Sequence, residues 1–418
     1  MHSRRNALAL VVGVTLAGQS AQARAGQGRS AVAITQVFGD GQKLTAVAVE
    51  YDQPIDGARL TKATFTVEGR TVTRVYASAS PDIADGATGG RYAIVELSPA
   101  DPDAALLGRN GRELARKPAK AVVVQARPVF AVSGKAYPAD AASITTTATR
   151  NLIVDDFKPL EFVDPETGDR LRYNLFVPKN YDPAKTYPLV LFMHDAGTTG
   201  TASDITLVQG LGAVVWASPA EQAKHEALVL APQYDTVVVN DASEATSLLD
   251  TTVHLVERIA GQYRIDRDRI YATGQSMGAM MSLALNIKYP DLFAASLIVA
   301  GQWDPAKVAP LARDKLFIIV SQGDLKAFPG ENAITAVLEQ NGARVARAVW
   351  GGDATPERFV ADAAALRGQG APIQYVALRK GTVVPAGQPD NGGGNHVNTW
   401  RIAYGIEGVR DWLFEQHR

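Results

Sequence analysis

The feature that rules out most folds for this chain is a five-residue run, Gly274-Gln275-Ser276-Met277-Gly278, set between a strand-like and a helix-like segment. Arg269-Ile270-Tyr271-Ala272-Thr273 reads as a short buried strand, and Ala279 to Tyr289 reads as a helix stopped by Pro290. In that setting G-x-S-x-G describes a sharp, strained strand-to-helix turn that lifts a serine hydroxyl clear of a sheet. The glycines are needed because side chains there would strike the flanking strand and helix. The same turn aims the Met277 backbone N–H at the space in front of Ser276.

Beyond Arg150 the pattern around this turn alternates strand and helix, which predicts a mostly parallel α/β sheet. Tyr187 to Met193, Ala227 to Ala231, Ala295 to Ala300 and Leu316 to Val320 read as strands. Ser243 to Tyr263 reads as a long amphipathic helix, and Ile406 to Gln416 as a closing one. The segment from Val345 to Lys380 has no evident place in that scheme.

The N-terminal part has a different texture. Lys43–Tyr51, Thr64–Val67, Thr71–Tyr76, Tyr92–Leu97 and Ala121–Val124 are short β segments with Gly and Asp turns between them. That rhythm predicts an antiparallel sandwich, with Glu68-Gly69-Arg70 as a tight hairpin. A Ser/Thr/Ala-rich stretch, Ala141 to Arg150, reads as a linker. The resulting division is residues 1–25 an export signal, 26–150 a sandwich with its linker, and 151–418 an α/β domain.

The signal expectation rests on Ser3-Arg4-Arg5-Asn6-Ala7-Leu8, an apolar run from Ala7 to Ala17, and small-residue cleavage sites at Ala21-Gln22-Ala23 or Ala23-Arg24-Ala25. The paired arginines resemble a twin-arginine signal, with Ala7 and Ala9 where that pattern usually has Phe and Lys. The expected location is periplasmic or extracellular. No later segment is apolar enough for a membrane span. The formal net charge of −1 makes no case for a nucleic-acid partner. The absence of cysteine removes disulfides, thiolate metal sites and a cysteine nucleophile together.

A serine hydroxyl is a poor nucleophile until a base takes its proton and a carboxylate holds that base in the right tautomer. In the chain order expected of this turn, both follow the serine, acid first. Of the six histidines, His2 lies in the signal, His194, His225 and His254 precede Ser276, and His417 is penultimate. His396, in a glycine-rich segment read as a loop, is left as the base. Asp324, just past the buried strand Leu316–Val320, is the expected acid, and Asp304 its competitor; Asp353 and Asp390 lie in more remote loops.

The oxyanion donors expected are the Met277 N–H and one from His194-Asp195-Ala196-Gly197, with Ala196 ahead of Asp195. Gln275, Trp303 and Asp195 are candidate substrate contacts, although Trp303, like Trp400, equally suits a core position. His194 as a metal ligand finds no supporting partner spacing. The scheme requires no metal and no organic cofactor.

These residues carry a resemblance. The stretches Tyr187–His194, Thr273–Met280, Ala300–Asp304 and Asn395-His396 through Trp412-Leu413-Phe414 are similar to two-domain bacterial esterases and predicted peptidases of the α/β-hydrolase superfamily. That group is related to polyhydroxybutyrate-depolymerase-type and feruloyl-type esterases, and an immunoglobulin-like domain precedes its hydrolase domain. The resemblance implies an exported serine hydrolase cleaving carboxylic esters through an acyl-enzyme, with Ser276, His396 and Asp324 as triad. A peptidase with the same triad and a non-catalytic binding protein are the rival readings. The group usually has Gly right after the oxyanion-loop histidine, where this chain has Asp195. That carboxylate either repels the developing oxyanion or points to solvent.

Overall fold

The computed structural model describes residues 29–84, 89–110 and 113–418, so the expected signal segment lies outside the described residues. The N-terminal half packs two sheets, antiparallel except where Ala148–Asn151 pairs in parallel with Ala31–Phe38. One sheet runs in the order Ala148–Asn151, Ala31–Phe38, Gly41–Ile55, Gly90–Leu97, Val72–Ser78; the other is Asp140–Thr145, Val122–Gln125, Phe65–Val67. Period-two alternation decides its core: Ala33, Val47, Val49, Ala93 and Val95 face Phe65, Val67 and Val123 across the layers.

Two expectations for this half need correcting. Glu68-Gly69-Arg70 does turn, with Gly69 at φ +67, but the strands it joins enter opposite sheets and do not form a hairpin. The Ser/Thr/Ala-rich stretch is not a linker. It supplies Asp140–Thr145 and Ala148–Asn151, the latter pairing in parallel with Ala31–Phe38. Small polar residues suit strands with one solvated face, so composition alone concealed them.

The C-terminal half is one nine-stranded sheet. We label its strands β1 (Lys158–Val163), β2 (Arg170–Phe176), β3 (Tyr187–Met193), β4 (Leu228–Gln233), β5 (Ile265–Gln275), β6 (Ala295–Val299), β7 (Leu316–Ser321), β8 (Val345–Trp350) and β9 (Ile373–Leu378). Their order is β1-β2-β4-β3-β5-β6-β7-β9-β8, parallel from β4 onward. The unplaced segment Val345 to Lys380 thus holds the last two strands and the helix Pro356–Arg367 between them.

Both faces of this sheet are covered, so its strands are continuously apolar. Leu191, Met193, Ile298 and Ile318 pack under the helices α1 (Leu248–Gln262), α2 (Met277–Lys288) and α3 (Ala327–Gln340). Val190, Phe192, Leu297 and Phe317 pack on the other side against Trp216, Trp412 and Phe414. Two further helices, α4 (Gly392–Ala403) and α5 (Glu407–Phe414), close the chain on that side.

The halves meet beside α4. The turn between the first two strands of the sandwich brings Gly39 so close that a Cβ there would stand 2.4 Å from the Arg401 carbonyl. Arg116, from the short ribbon Leu107–Asn110/Glu113–Arg116, pairs with Asp204 at 2.6 Å.

Candidate active site

Ser276 stands at the carboxyl end of β5 with φ 52 and ψ −115, a conformation a serine holds only when its surroundings enforce it. The two glycines show what enforces it. A Cβ on Gly278 would lie 1.9 Å from the Met193 carbonyl oxygen, and one on Gly274 would lie 2.3 Å from the Gly278 backbone. Strand β3, the turn and the first turn of α2 are therefore in backbone contact, and only glycine fits at both positions. The Ser276 N–H donates to the Val299 carbonyl at 3.0 Å, tying the turn to β6.

His396 Nε2 lies 2.9 Å from Ser276 Oγ, and His396 Nδ1 lies 2.5 Å from Asp324 Oδ2. The three residues come from the ends of β5 and β7 and from α4. His396 is helical, contrary to its reading as a loop residue: Asn391 accepts from the Gly394 N–H and starts α4 through the glycines. The glycines there meet tight packing, since a Cβ on Gly394 would be 2.4 Å from the Pro389 carbonyl. Trp400, one turn on, sets its ring edge-on to the imidazole at 5.1 Å between centroids.

Asp324 is 3 % exposed. Burial alone drives its carboxyl up, but the His396 hydrogen bond and the Lys326 and Ala327 N–H groups, at 3.0 and 2.9 Å, outweigh it and hold it below the usual range. An ionised carboxylate is thus fixed behind the imidazole, with Nδ1–H directed at it and Nε2 left to face the serine. Asp304, its competitor in sequence, instead caps a short turn through the Ala306 N–H.

Met277 and Ala196 each occupy the first position of a helical turn, where the N–H has no intrahelical acceptor. The Asp195 side chain does not point to solvent as expected; it turns into buried hydrogen bonds instead. Its Oδ1 accepts from the Gly197 N–H at 2.8 Å and its Oδ2 from Gln275 Nε2 at 3.0 Å, and the residue is 6 % exposed. His194 is fully buried: Nε2 accepts from the Tyr234 N–H, so Nδ1 carries the proton and donates to the Asp195 carbonyl. Burial holds that imidazole neutral.

Two of the expected substrate contacts sit elsewhere. Gln275 is 1 % exposed and spends its amide N–H groups on Asp195 and on Gln209 Oε1. Trp303 is packed among the buried side chains under α2. Neither lines the cleft, whereas Asp195 does. Elbow position suggested exposure for Gln275, but the turn directs the serine outward and its neighbour inward.

The cleft, a cavity of about 280 Å³, lies between the halves; Ser276, His396 and Asp324 do not line it, but Trp400, whose ring stands edge-on to His396, does. Asp195, Gln209, Val397 and Trp400 line it from one side, and Gly39, Asp40, Leu107 and Leu114 of the sandwich from the other. No sequence signal pointed to this wall, because a Gly-Asp turn looks alike wherever it docks.

Among the described residues, Glu221, His225 and Asp411 bring metal-ligating atoms within 4.8 Å of one another, away from the triad. There Arg410 donates to Glu221 Oε2 and His225 pairs with Asp411, while Glu221 Oε1 has no hydrogen-bond partner.

Comparison with known proteins agrees with both halves. The family model described as Esterase Ig-like N-terminal domain matches residues 30–138, and the Esterase model matches 165–398. A crystal structure of a thermostable esterase superposes with a TM-score of 0.80 at 28 % identity, covering 93 % of this chain and 100 % of that one. The probable feruloyl esterase C of Aspergillus terreus is 30 % identical over 31 % of this chain and 46 % of its own length. NocK of Nocardia uniformis subsp. tsuyamanensis, named as an esterase, is 31 % identical over 34 % of this chain and 42 % of its own. The chain thus spans less than half the length of these curated relatives.

Proposed function

The chain belongs to the Esterase family, with an Ig-like domain before an α/β-hydrolase domain, and from that premise we propose that it cleaves carboxylic esters through Ser276, His396 and Asp324. The observation that carries this is the unbroken relay of 2.9 and 2.5 Å from the serine hydroxyl to a buried, ionised carboxylate. His396 Nε2 takes the Ser276 proton as Oγ attacks the ester carbonyl, while Asp324 holds Nδ1–H and stabilises the imidazolium. The Met277 and Ala196 N–H groups receive the tetrahedral oxyanion. His396 then protonates the departing alcohol, and water repeats the sequence on the acyl-enzyme. Every group this requires is a side chain or a backbone amide of the chain.

The cavity between the halves meets the triad through Trp400, and the part of the ester that extends past that ring enters it, so both halves shape selectivity. Export follows from the N-terminal signal pattern and completes the proposal; among the described residues no helix is long and apolar enough to cross a membrane. The test is p-nitrophenol release from acetate to dodecanoate esters, with methyl ferulate alongside because a relative is named for feruloyl esters. Hydrolysis by the wild type that vanishes in Ser276→Ala is the expected result. A folded wild type inert on the whole panel refutes the proposal.

A further inference from the structure

Glu331 is an anomaly beside the triad that the mechanism leaves unused. It is fully buried in α3, one carboxylate oxygen accepts from the Gly301 N–H at 2.8 Å, and the other has no hydrogen-bond partner. Buried carboxyls are rare unless paired, and no cation reaches this one among the described residues.

Its position gives it a task. Helix α3 starts three residues after Asp324, whose Oδ1 accepts the first N–H groups of that helix. Gly301 follows the strained Ala300, φ 51, at the end of β6, and the Val299 carbonyl in that strand receives the Ser276 N–H. Gly301 also abuts the nucleophile's helix, since a Cβ there would come 2.8 Å from Ala279 Cβ. The Glu331–Gly301 bond therefore joins the element that carries the acid to the element that seats the serine. We propose that Glu331 is a positioning residue that fixes the Ser276 turn relative to Asp324.

Its charge state follows from its surroundings. Burial and the nearby Asp324 charge both push the Glu331 carboxyl well above its usual range, and the Gly301 N–H opposes them only in part. The titratable groups facing it are Asp324 and, on β9, Tyr375. Glu331 thus braces as the neutral acid. The sign is fixed: ionisation as pH rises through the raised value puts a second negative charge beside Asp324 and weakens the brace.

This inference rests on the esterase reading, and Glu331→Gln and Glu331→Ala separate the two. Active sites are titrated with a fluorophosphonate, and kcat per titrated site is followed from about pH 6 to about pH 10. Glu331→Gln, a neutral isostere, should keep wild-type kcat at neutral pH and remove whatever decline Glu331 ionisation causes as pH rises. Glu331→Ala should lower kcat per site roughly 10- to 100-fold with little change in KM. Wild-type kcat per site in Glu331→Ala, or equal damage from Gln, overturns the proposal. So does a difference infrared spectrum, wild type minus Glu331→Gln, lacking a protonated carboxylic-acid carbonyl at neutral pH. If the wild type turns over no ester, the esterase reading fails alone. The low-field proton resonance of the His396–Asp324 bond then decides, and its persistence unchanged in Glu331→Ala refutes the brace.

Discussion

Replacing Asp195 with alanine separates two opposed accounts of that residue. If its carboxylate repels the oxyanion, removal speeds the reaction. The structure points the other way, because Oδ1 holds the Gly197 N–H at 2.8 Å and Oδ2 holds Gln275 at 3.0 Å. Each bond to a charged acceptor is worth about 1.5–3 kcal/mol. Losing both, while Gln275 keeps Gln209 as a partner at 3.2 Å, costs on the order of 2–4 kcal/mol of stability. The turn that Asp195 caps also presents the Ala196 N–H, and one oxyanion donor is worth about 2.7–4 kcal/mol, or roughly 10²–10³ in kcat. Partial loss of its aim should lower kcat for p-nitrophenyl acetate by about 10- to 100-fold with KM little changed. Asp195→Asn keeps an oxygen for Gly197 but sets N–H₂ against Gln275, so it should fall between. The assay is kcat per fluorophosphonate-titrated site at neutral pH. An Asp195→Ala enzyme faster than wild type would refute the capping role and establish repulsion.

Other outcomes follow from the same contacts. Gly278→Ala drives a methyl group into the Met193 carbonyl, so thermal melting should show a loss of ~3 kcal/mol or more, or no folded protein. Gly39→Ala pushes the sandwich turn off Arg401 and should raise KM for bulky esters more than for acetate, read from steady-state kinetics. His254 Nδ1 meets the buried Asp164 at 2.7 Å. Asp164 is lowered to about 2, its backbone and side-chain hydrogen bonds overcoming burial, and His254 is raised chiefly by Asp164. The carboxylate's contribution is present above its unfolded value of about 4 and fades as pH falls toward about 2. The histidine's is full below its unfolded value of about 6.5 and fades as pH rises through the raised one. Melting temperatures of His254→Gln should thus fall furthest below wild type near pH 5 and converge with it as pH rises past the raised histidine value; a constant gap tells against the pair.

How far the site could be read from the chain depended on how local its determinants are. The elbow is a matter of contiguous residues, and its glycines have steric reasons visible in the structure as contacts with Met193 and with each other. Elimination among six histidines leaves His396, and its Nε2 lies 2.9 Å from Ser276 Oγ. Its helix escapes a sequence reading because glycines normally argue against helix, whereas here the Asn391 side chain caps one. The orientations of Gln275, Trp303 and the Asp195 side chain depend on Gln209 and on buried neighbours distant in sequence, which no local pattern encodes. Residues 140–151 likewise become strands because distant partners await them.

The seating of Gly39 against Arg401 joins an early part of the chain to one of its last helices. A ribosome releases the sandwich well before α4 exists. Until then the nascent protein has Ser276 and the Asp195–Gly197 turn, but neither His396 nor the side chains of α4 that line the cavity between the halves. On the proposed function, a chain cut before α4 would hydrolyse no ester, and with Trp400 and Trp412 gone it would also lose two of its five tryptophans.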